Sequence, residues 1–115
     1  MIMKRLLCSI LAIGAFTVAA PARADDAATL KLFKAQCATC HGLDGKGQTT
    51  AGKKLGTKDW SDPKILKVLS DPDVEKAIRT GKNGDDAKEL MPSFAKMSDD
   101  KIKALAAFIR SFQPK

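Results

Sequence analysis

Apolar residues near the end of the chain recur at the spacing of one helix face. From Ile102 to Phe112 they follow one another at intervals of three and four residues, the period of an amphipathic helix. Ser98 is a preferred N-cap residue, and Asp99 and Asp100 place negative charge at the positive end of the helix dipole. The pattern therefore predicts a closing helix from Ser98 to Phe112 with one buried stripe.

A second helical pattern lies near residue 30. Asp25 and Asp26 precede it, and either can cap a helix. The segment after them has no glycine or proline, and Leu30, Phe33 and Cys37 follow one another at intervals of three and four residues. We expect a helix over Ala27–Gln36 that brings Cys37 onto its buried face.

The middle of the chain combines helix breakers with short apolar runs. Five glycines between His41 and Trp60 interrupt any regular period and predict a loop. Asp62 and Asp71 are each followed by proline, which is favoured at the first helical position, and by apolar residues. Two short helices are therefore predicted, the second ending at Gly81 as a left-handed cap.

Residues 82–94 contain Gly84 and Pro92 and are predicted to be irregular. Strand signals are nearly absent, and the chain shows no internal repeat. The predicted fold class is therefore all-α.

The N-terminal segment has the features of an export signal. A basic start, Met1–Arg5, is followed by an apolar run, Leu6–Ala20. Small residues of the kind that a signal peptidase accepts come next, and they place the cleavage after Ala24. The run is shorter than a membrane span, so cleavage is favoured over the alternative of an uncleaved anchor. We expect residues 1–24 to be a signal peptide that is removed together with Cys8, and residues 25–115 to form one domain in the periplasm.

The charge balance is basic, with 20 Lys and Arg against 13 Asp and Glu and a formal net charge of +7. Cleavage would remove three of the positive charges. The remaining lysines are scattered among acids without interleaved aromatic residues, which argues against nucleic-acid binding. A modest lysine surplus of this kind can steer association with an acidic partner.

The most specific pattern is Cys37-Ala38-Thr39-Cys40-His41. Two thiols three residues apart can each add to a haem vinyl group while the adjacent imidazole reaches the iron, and C-x-x-C-H is the sequence of covalent haem attachment. A thioredoxin-like redox pair is the first alternative, but it requires a strand before the motif. A structural zinc site is the second, but it requires a fourth ligand that the mature chain does not offer nearby.

The second axial ligand of such a haem has two methionine candidates. His41 is the only histidine, so a second histidine from this chain is excluded. Met91 precedes Pro92, which favours an extended backbone able to project a sulfur atom inward. Met97 precedes the cap of the closing helix, where a hydrophobic staple accounts for it. We predict Met91 as the ligand and keep Met97, a lysine or an open position as alternatives.

Together these segments resemble the class I c-type cytochromes, the small bacterial mono-haem kind. The resemblance rests on the cysteine and histidine motif, the Gly42–Gly47 loop, Met91-Pro92-Ser93-Phe94 and the closing helix. It implies about four to five helices wrapped around one covalently bound haem c, linked through Cys37 and Cys40, with the first and last helices crossing. Phe33 would then pack against Leu105 and Phe108 of the last helix.

The resemblance implies two further features of the surroundings of the haem. Relatives often carry a tryptophan or tyrosine near a haem propionate, and Trp60 is the only candidate, although ordinary core packing would also account for it. Relatives often have a proline after the haem motif, in a region that supplies a carbonyl to the histidine ring. No proline occurs between His41 and Asp62, yet we expect some carbonyl to accept from that ring.

The function that follows is that of a one-electron carrier rather than an enzyme. An iron with two axial ligands, His41 and Met91, leaves no position for a substrate, and a thioether raises the potential. A haem enzyme or a gas-binding cytochrome, each with an open or displaceable sixth position, remains the alternative. Expected partners are redox proteins with acidic docking surfaces, membrane complexes among them, and we expect no anchor on the mature chain itself.

Overall fold

The computed structural model describes residues 14–17 and 26–113. The predicted cleavage site and most of the predicted signal peptide lie outside those residues. Within them the chain forms the following helices and strands in order: α1 Ala27–Gln36, α2 Ala38–His41, α3 Thr50–Leu55, α4 Pro63–Leu66, α5 Asp71–Thr80, β1 Lys82–Asn83, β2 Glu89–Met91 and α6 Asp99–Arg110.

The first and last helices form as predicted, and they pack together. The Asp26 carboxylate caps α1 by accepting from the Ala28 N–H at 2.6 Å, and the Ser98 hydroxyl caps α6. Phe33 of α1 is fully buried, and its ring centroid lies 4.9 Å from that of Phe108 on α6. The predicted contact between the first helix and the last is therefore confirmed for Phe108.

The two proline-led helices are also present, but the second begins one residue earlier than predicted. Asp62 caps α4 as expected. The cap of α5 is Ser70 rather than Asp71, because Ser70 and Asp73 form a reciprocal capping box in which each side chain accepts from the other residue's backbone N–H. Gly81 ends α5 with a φ of +70° and a ψ of −172°, which is a positive-φ cap but not the left-handed helical one.

Two segments predicted to be irregular contain regular structure. Thr49 caps the short helix α3 inside the glycine-rich loop, so the prediction of a loop throughout was wrong. Strands β1 and β2 pair antiparallel, with Lys82 opposite Met91, where we expected no strand. The predicted helical fold class is confirmed, with the addition of a small two-stranded sheet.

One hydrophobic core joins α1, α4, α5 and α6. Its most deeply buried large side chains are Phe33, Leu66, Ile102 and Leu105. None of the helices within residues 14–17 and 26–113 combines the length and the apolar composition that a membrane span requires.

Arg110 joins the end of α6 to the connection between α4 and α5. Its Nη1 donates to the Leu66 carbonyl at 2.5 Å, its Nη2 donates to the Leu69 carbonyl, and its Nε donates to the Asp71 carboxylate at 2.7 Å. The last carbonyls of a helix lack an intrahelical partner, and one planar guanidinium donates to two carbonyls here, of which that of Leu66 also accepts from the Leu69 N–H at 3.2 Å.

We expect Arg110→Ala to lower the free energy of unfolding by about 2 kcal/mol, because two partly buried carbonyls lose a charged donor. Asp71→Asn is the matched control. It should cost less than about 1 kcal/mol, since the Asp71 side chain is 69% exposed and its ion pair is screened. Urea unfolding followed by circular dichroism measures both. Equal losses in the two variants would show that the carbonyl contacts contribute nothing.

Candidate cofactor site

The cysteine and histidine motif lies at a junction between two helices. Cys37 ends α1, its N–H donating to the Phe33 carbonyl at 2.9 Å, and the four residues after it form α2. The His41 N–H donates to the Cys37 carbonyl at 3.0 Å, which closes that turn. Gly42 then ends the helix with a φ of +76°, a conformation that favours glycine. The motif is thus held in one helical turn anchored to α1.

Helix α3 fastens this turn from the other side. The Thr49 hydroxyl donates to the Thr39 carbonyl at 2.7 Å, lies 3.1 Å from that of Cys40, and accepts from the Gly52 N–H at 2.9 Å. A Cβ on Gly52 would collide with the Cys40 carbonyl oxygen and lie 2.5 Å from that of Gly47. Sequence reasoning missed this role of Gly52. The signal available in the sequence was Thr49, which lies three residues before Gly52, as an N-cap lies before the N–H from which it accepts.

A cavity of about 300 Å³ opens beside the motif and is lined mainly by apolar atoms. That volume lies at the lower end of the roughly 300–1,000 Å³ found for small-molecule and cofactor sites. All five residues singled out from the sequence line it, namely Cys37, Cys40, His41, Trp60 and Met91. Apolar side chains of α4, α5 and their connection complete the wall, including Ile65, Leu66, Leu69, Val74 and Ile78. The sequence analysis predicted the two short helices in this region but did not predict that their apolar side chains line the site.

The two methionines differ in position. Met91 ends β2, is half-buried and borders the same cavity as His41. Met97 borders a different, shallow depression beside Leu32 and packs against the core that contains Ile102. This is the packing expected for a residue before the cap of α6.

His41 lies in a strongly desolvated position. Burial lowers the pKa of its imidazole to about 4, which keeps the ring neutral. Its Nδ1 is buried and has no hydrogen-bond partner, so the prediction that a carbonyl accepts from this ring was wrong for the described structure. The ring instead stacks on the indole of Trp60, with centroids 4.0 Å apart and planes 14° apart. Trp60 is also part of the hydrophobic core and is only 9% exposed.

The environment of the cysteines argues against the alternative uses of a C-x-x-C pair. Burial raises the pKa of the Cys37 thiol to about 11, whereas a redox-active pair needs a lowered one. Cys37 and Cys40 are not joined in a disulfide. No group of three or more potential metal-binding side chains of the His, Cys, Asp and Glu types occurs among the residues that the structure describes.

These features fit a covalently attached haem. The cavity offers an apolar enclosure for a porphyrin, two cysteine thiols on one helical turn, of which burial keeps that of Cys37 protonated, and a neutral imidazole whose buried Nδ1 lacks a partner. A helical fold around such a cavity, with C-x-x-C-H on its wall, defines the class of c-type cytochromes.

Comparison with known proteins agrees with this class. Residues 24–109 match the family described as cytochrome C oxidase, cbb3-type, subunit III. Cytochrome c-553 of Helicobacter pylori is 32% identical over 101 residues, covering 87% of this chain and 92% of that protein. The solved structure of the KustC0563 c-type cytochrome has a TM-score of 0.65 at 30% identity and covers 75% of this chain and 98% of that one.

A third relative is much longer. The cbb3-type cytochrome c oxidase subunit FixP of Rhizobium meliloti is 32% identical over 82 residues, which is 70% of this chain but only 25% of that protein. The chain spans about a quarter of the length of this relative. On the family match, the chain belongs to this cytochrome c family, has the small cytochrome c fold and carries haem c. Its chemistry is haem-based electron transfer.

The close approach at Gly52 yields a stability prediction. Gly52→Ala should lower the free energy of unfolding by about 3 kcal/mol or more, because the added methyl collides with the backbone of the motif. Gly56→Ala is the control: Gly56, unlike Gly52, has a positive φ, but no atom lies within 4 Å of its added Cβ, so only backbone strain of about 1 kcal/mol is expected.

Urea unfolding of the two haem-bearing variants measures the difference, and haem staining after expression shows how much of each is matured. Unfolding of both at the same urea concentration would mean that the contact between α3 and the motif does not constrain the fold.

Proposed function

We propose that the chain is a periplasmic one-electron carrier with a low-spin haem c. In this proposal Cys37 and Cys40 form the thioether links, and His41 and Met91 are the two axial ligands. The observation that carries it is that both cysteines, the only histidine and one of the two candidate methionines border the same apolar cavity. The other candidate, Met97, borders a different depression.

The state of each side chain suits its proposed role. A bound haem c would supply one-electron exchange between ferrous and ferric iron. A protonated thiol can add across a vinyl double bond, and burial keeps Cys37 protonated. Burial likewise keeps the His41 imidazole neutral, which is the form that binds a metal. The Met91 thioether is neutral, and the apolar wall disfavours added positive charge, so both favour a positive reduction potential.

Trp60 has a proposed role beside His41. Its indole stacks on the imidazole, so it restricts the ring plane even though no carbonyl does. The resemblance also suggested a contact with a haem propionate, and that remains a prediction. Core packing accounts for the burial of Trp60 without such a contact, because the indole lies in the same cluster as Phe33.

The charges beside the cavity support an acidic redox partner. Lys58 and Lys82 border it and are exposed, although Asp73 borders it too. Lysines at such a border increase the rate of encounter and orient a partner with a negative surface. Because FixP is named as a cbb3-type oxidase subunit, we propose membrane-bound oxidases among the electron acceptors.

The ligand proposal is tested by the weak long-wavelength band that ferric haem shows when methionine sulfur is its ligand. Met91→Ala should abolish this band and lower the reduction potential, because the soft ligand that favours ferrous iron is lost. Met97→Ala is the matched control and should keep the band. Optical spectra and a redox titration of the three purified proteins provide the measurements.

Two results would contradict the proposal. Loss of the band in Met97→Ala but not in Met91→Ala would reverse the ligand assignment. Rapid binding of carbon monoxide by the reduced unmodified protein, with no long-wavelength band in its ferric form, would favour an open-site haem enzyme or gas-binding cytochrome instead.

The export proposal has a separate test. Expression of the full sequence in a bacterium that matures c-type cytochromes should give a periplasmic protein that begins at Asp25, because the apolar run is of signal length and Ala24 ends a small-residue site. Intact mass spectrometry identifies the first residue and shows the added mass of one haem. Retention of residues 1–24 on a membrane-bound product would show that the segment is an anchor.

A further inference from the structure

The segment that carries Met91 is held by the end of α5. The Phe94 N–H donates to the Ile78 carbonyl at 2.9 Å, and the Ser93 hydroxyl donates to the Arg79 carbonyl at 2.6 Å. Both carbonyls belong to the last turn of α5, where carbonyls have no partner within the helix. Residues 93 and 94 therefore satisfy the helix end and are fixed by it.

The chain before these two residues is held differently. Met91 pairs with Lys82 across the short sheet, but Pro92 has no N–H to donate. The segment between the sheet and Ser93 is therefore placed by direct backbone contact. Its contact is with Gly81, the residue that ends α5.

Gly81 leaves no room for a side chain. An ideal Cβ on it would lie 2.5 Å from the Met91 carbonyl oxygen, 2.8 Å from the Pro92 carbonyl carbon and 2.9 Å from the Ser93 nitrogen. These are backbone atoms of three consecutive residues, so none can rotate away as the end of a flexible side chain could. The φ of Gly81, +70°, adds strain for any other residue.

We propose that Gly81 and Ser93 are positioning residues for the sixth ligand, holding the Met91 sulfur at the haem through the backbone of residues 91–94. The inference rests on the proposed ligation by Met91. Gly81 permits the close approach and Ser93 locks the segment to the helix end. Loosening either contact makes it easier for another ligand to displace the sulfur.

The test is competition by imidazole for the ferric iron, followed by loss of the long-wavelength band. We expect Gly81→Ala to bind imidazole about tenfold more tightly than the unmodified protein, and Ser93→Ala about threefold more tightly, since each loses part of the energy that favours the bound sulfur. Ser93→Thr keeps the hydroxyl and should restore binding close to that of the unmodified protein.

Ser70→Ala separates positioning from general destabilisation. It removes the capping box at the opposite end of the same helix, so it weakens α5 without touching residues 91–94. Its imidazole binding should match that of the unmodified protein even though it unfolds at lower urea concentration. If Gly81→Ala does not mature, the comparison of Ser93→Ala with Ser93→Thr and Ser70→Ala decides the question.

The outcomes separate this inference from the ligand proposal. If Met91→Ala retains the band, the proposed ligand is wrong and the inference falls with it. If Met91→Ala loses the band, but the Gly81 and Ser93 variants bind imidazole no more tightly than Ser70→Ala, the ligand stands and the positioning role is overturned.

Discussion

The apolar cavity at the centre of a small core is the constraint on which the rest of the structure depends. Burying apolar surface stabilises a domain by about 25 cal/mol for each Å² removed from water, and the net stability of a typical domain is only about 5–15 kcal/mol, so an apolar wall that faces water forgoes stabilisation that a small domain needs. A haem seated there contributes hydrophobic surface that the chain alone does not supply. This explains why Leu66, Val74 and Ile78, which are among the most buried residues, also border the cavity.

Desolvation by the same wall sets the chemistry of the motif. It keeps the His41 imidazole neutral and the Cys37 thiol protonated, which are the forms required for metal ligation and for addition to a vinyl group. It also makes Cys37 a poor candidate for thiolate chemistry. One physical cause thus favours covalent haem attachment and disfavours the redox-pair and zinc interpretations of the same sequence pattern.

The parts of the fold that the sequence predicted are those determined by neighbouring residues. Helices α1 and α6 carry caps, and α6 also carries a continuous apolar stripe, so their existence followed from local patterns. Leu30 was expected on the buried face of α1 but is 39% exposed, and Phe33 makes the contact with α6. The start of α5 was misplaced by one residue because Ser70 and Asp71 are both good caps, and only the reciprocal bonds with Asp73 favour the first. Strand β2 escaped prediction because β1 and β2 are only two and three residues long, too short to show the alternation of apolar and polar residues that marks a strand.

The same difference between local patterns and contacts of distant residues applies to the candidate site. The spacing of Cys37, Cys40 and His41 is a local pattern, so sequence alone identified them. The stacking of Trp60 on His41 and the missing carbonyl partner depend on residues distant in sequence, and no local signal carries them. Proline after Met91 favoured it over Met97 as the ligand, and Met91 borders the cavity, while its role as a ligand stays a prediction.

Glycines bring the two halves of the site together without a disulfide. Gly52 lets α3 lie against the Cys40 carbonyl on one side of the site, and Gly81 lets α5 lie against the backbone of Met91 on the other. Contacts between backbones are stiffer than contacts between side chains, because no rotamer change relieves them. For an electron carrier this stiffness is useful, since ligands that keep their positions in both oxidation states add little to the barrier for electron exchange. The close backbone contacts therefore provide the rigid site that the proposed function requires.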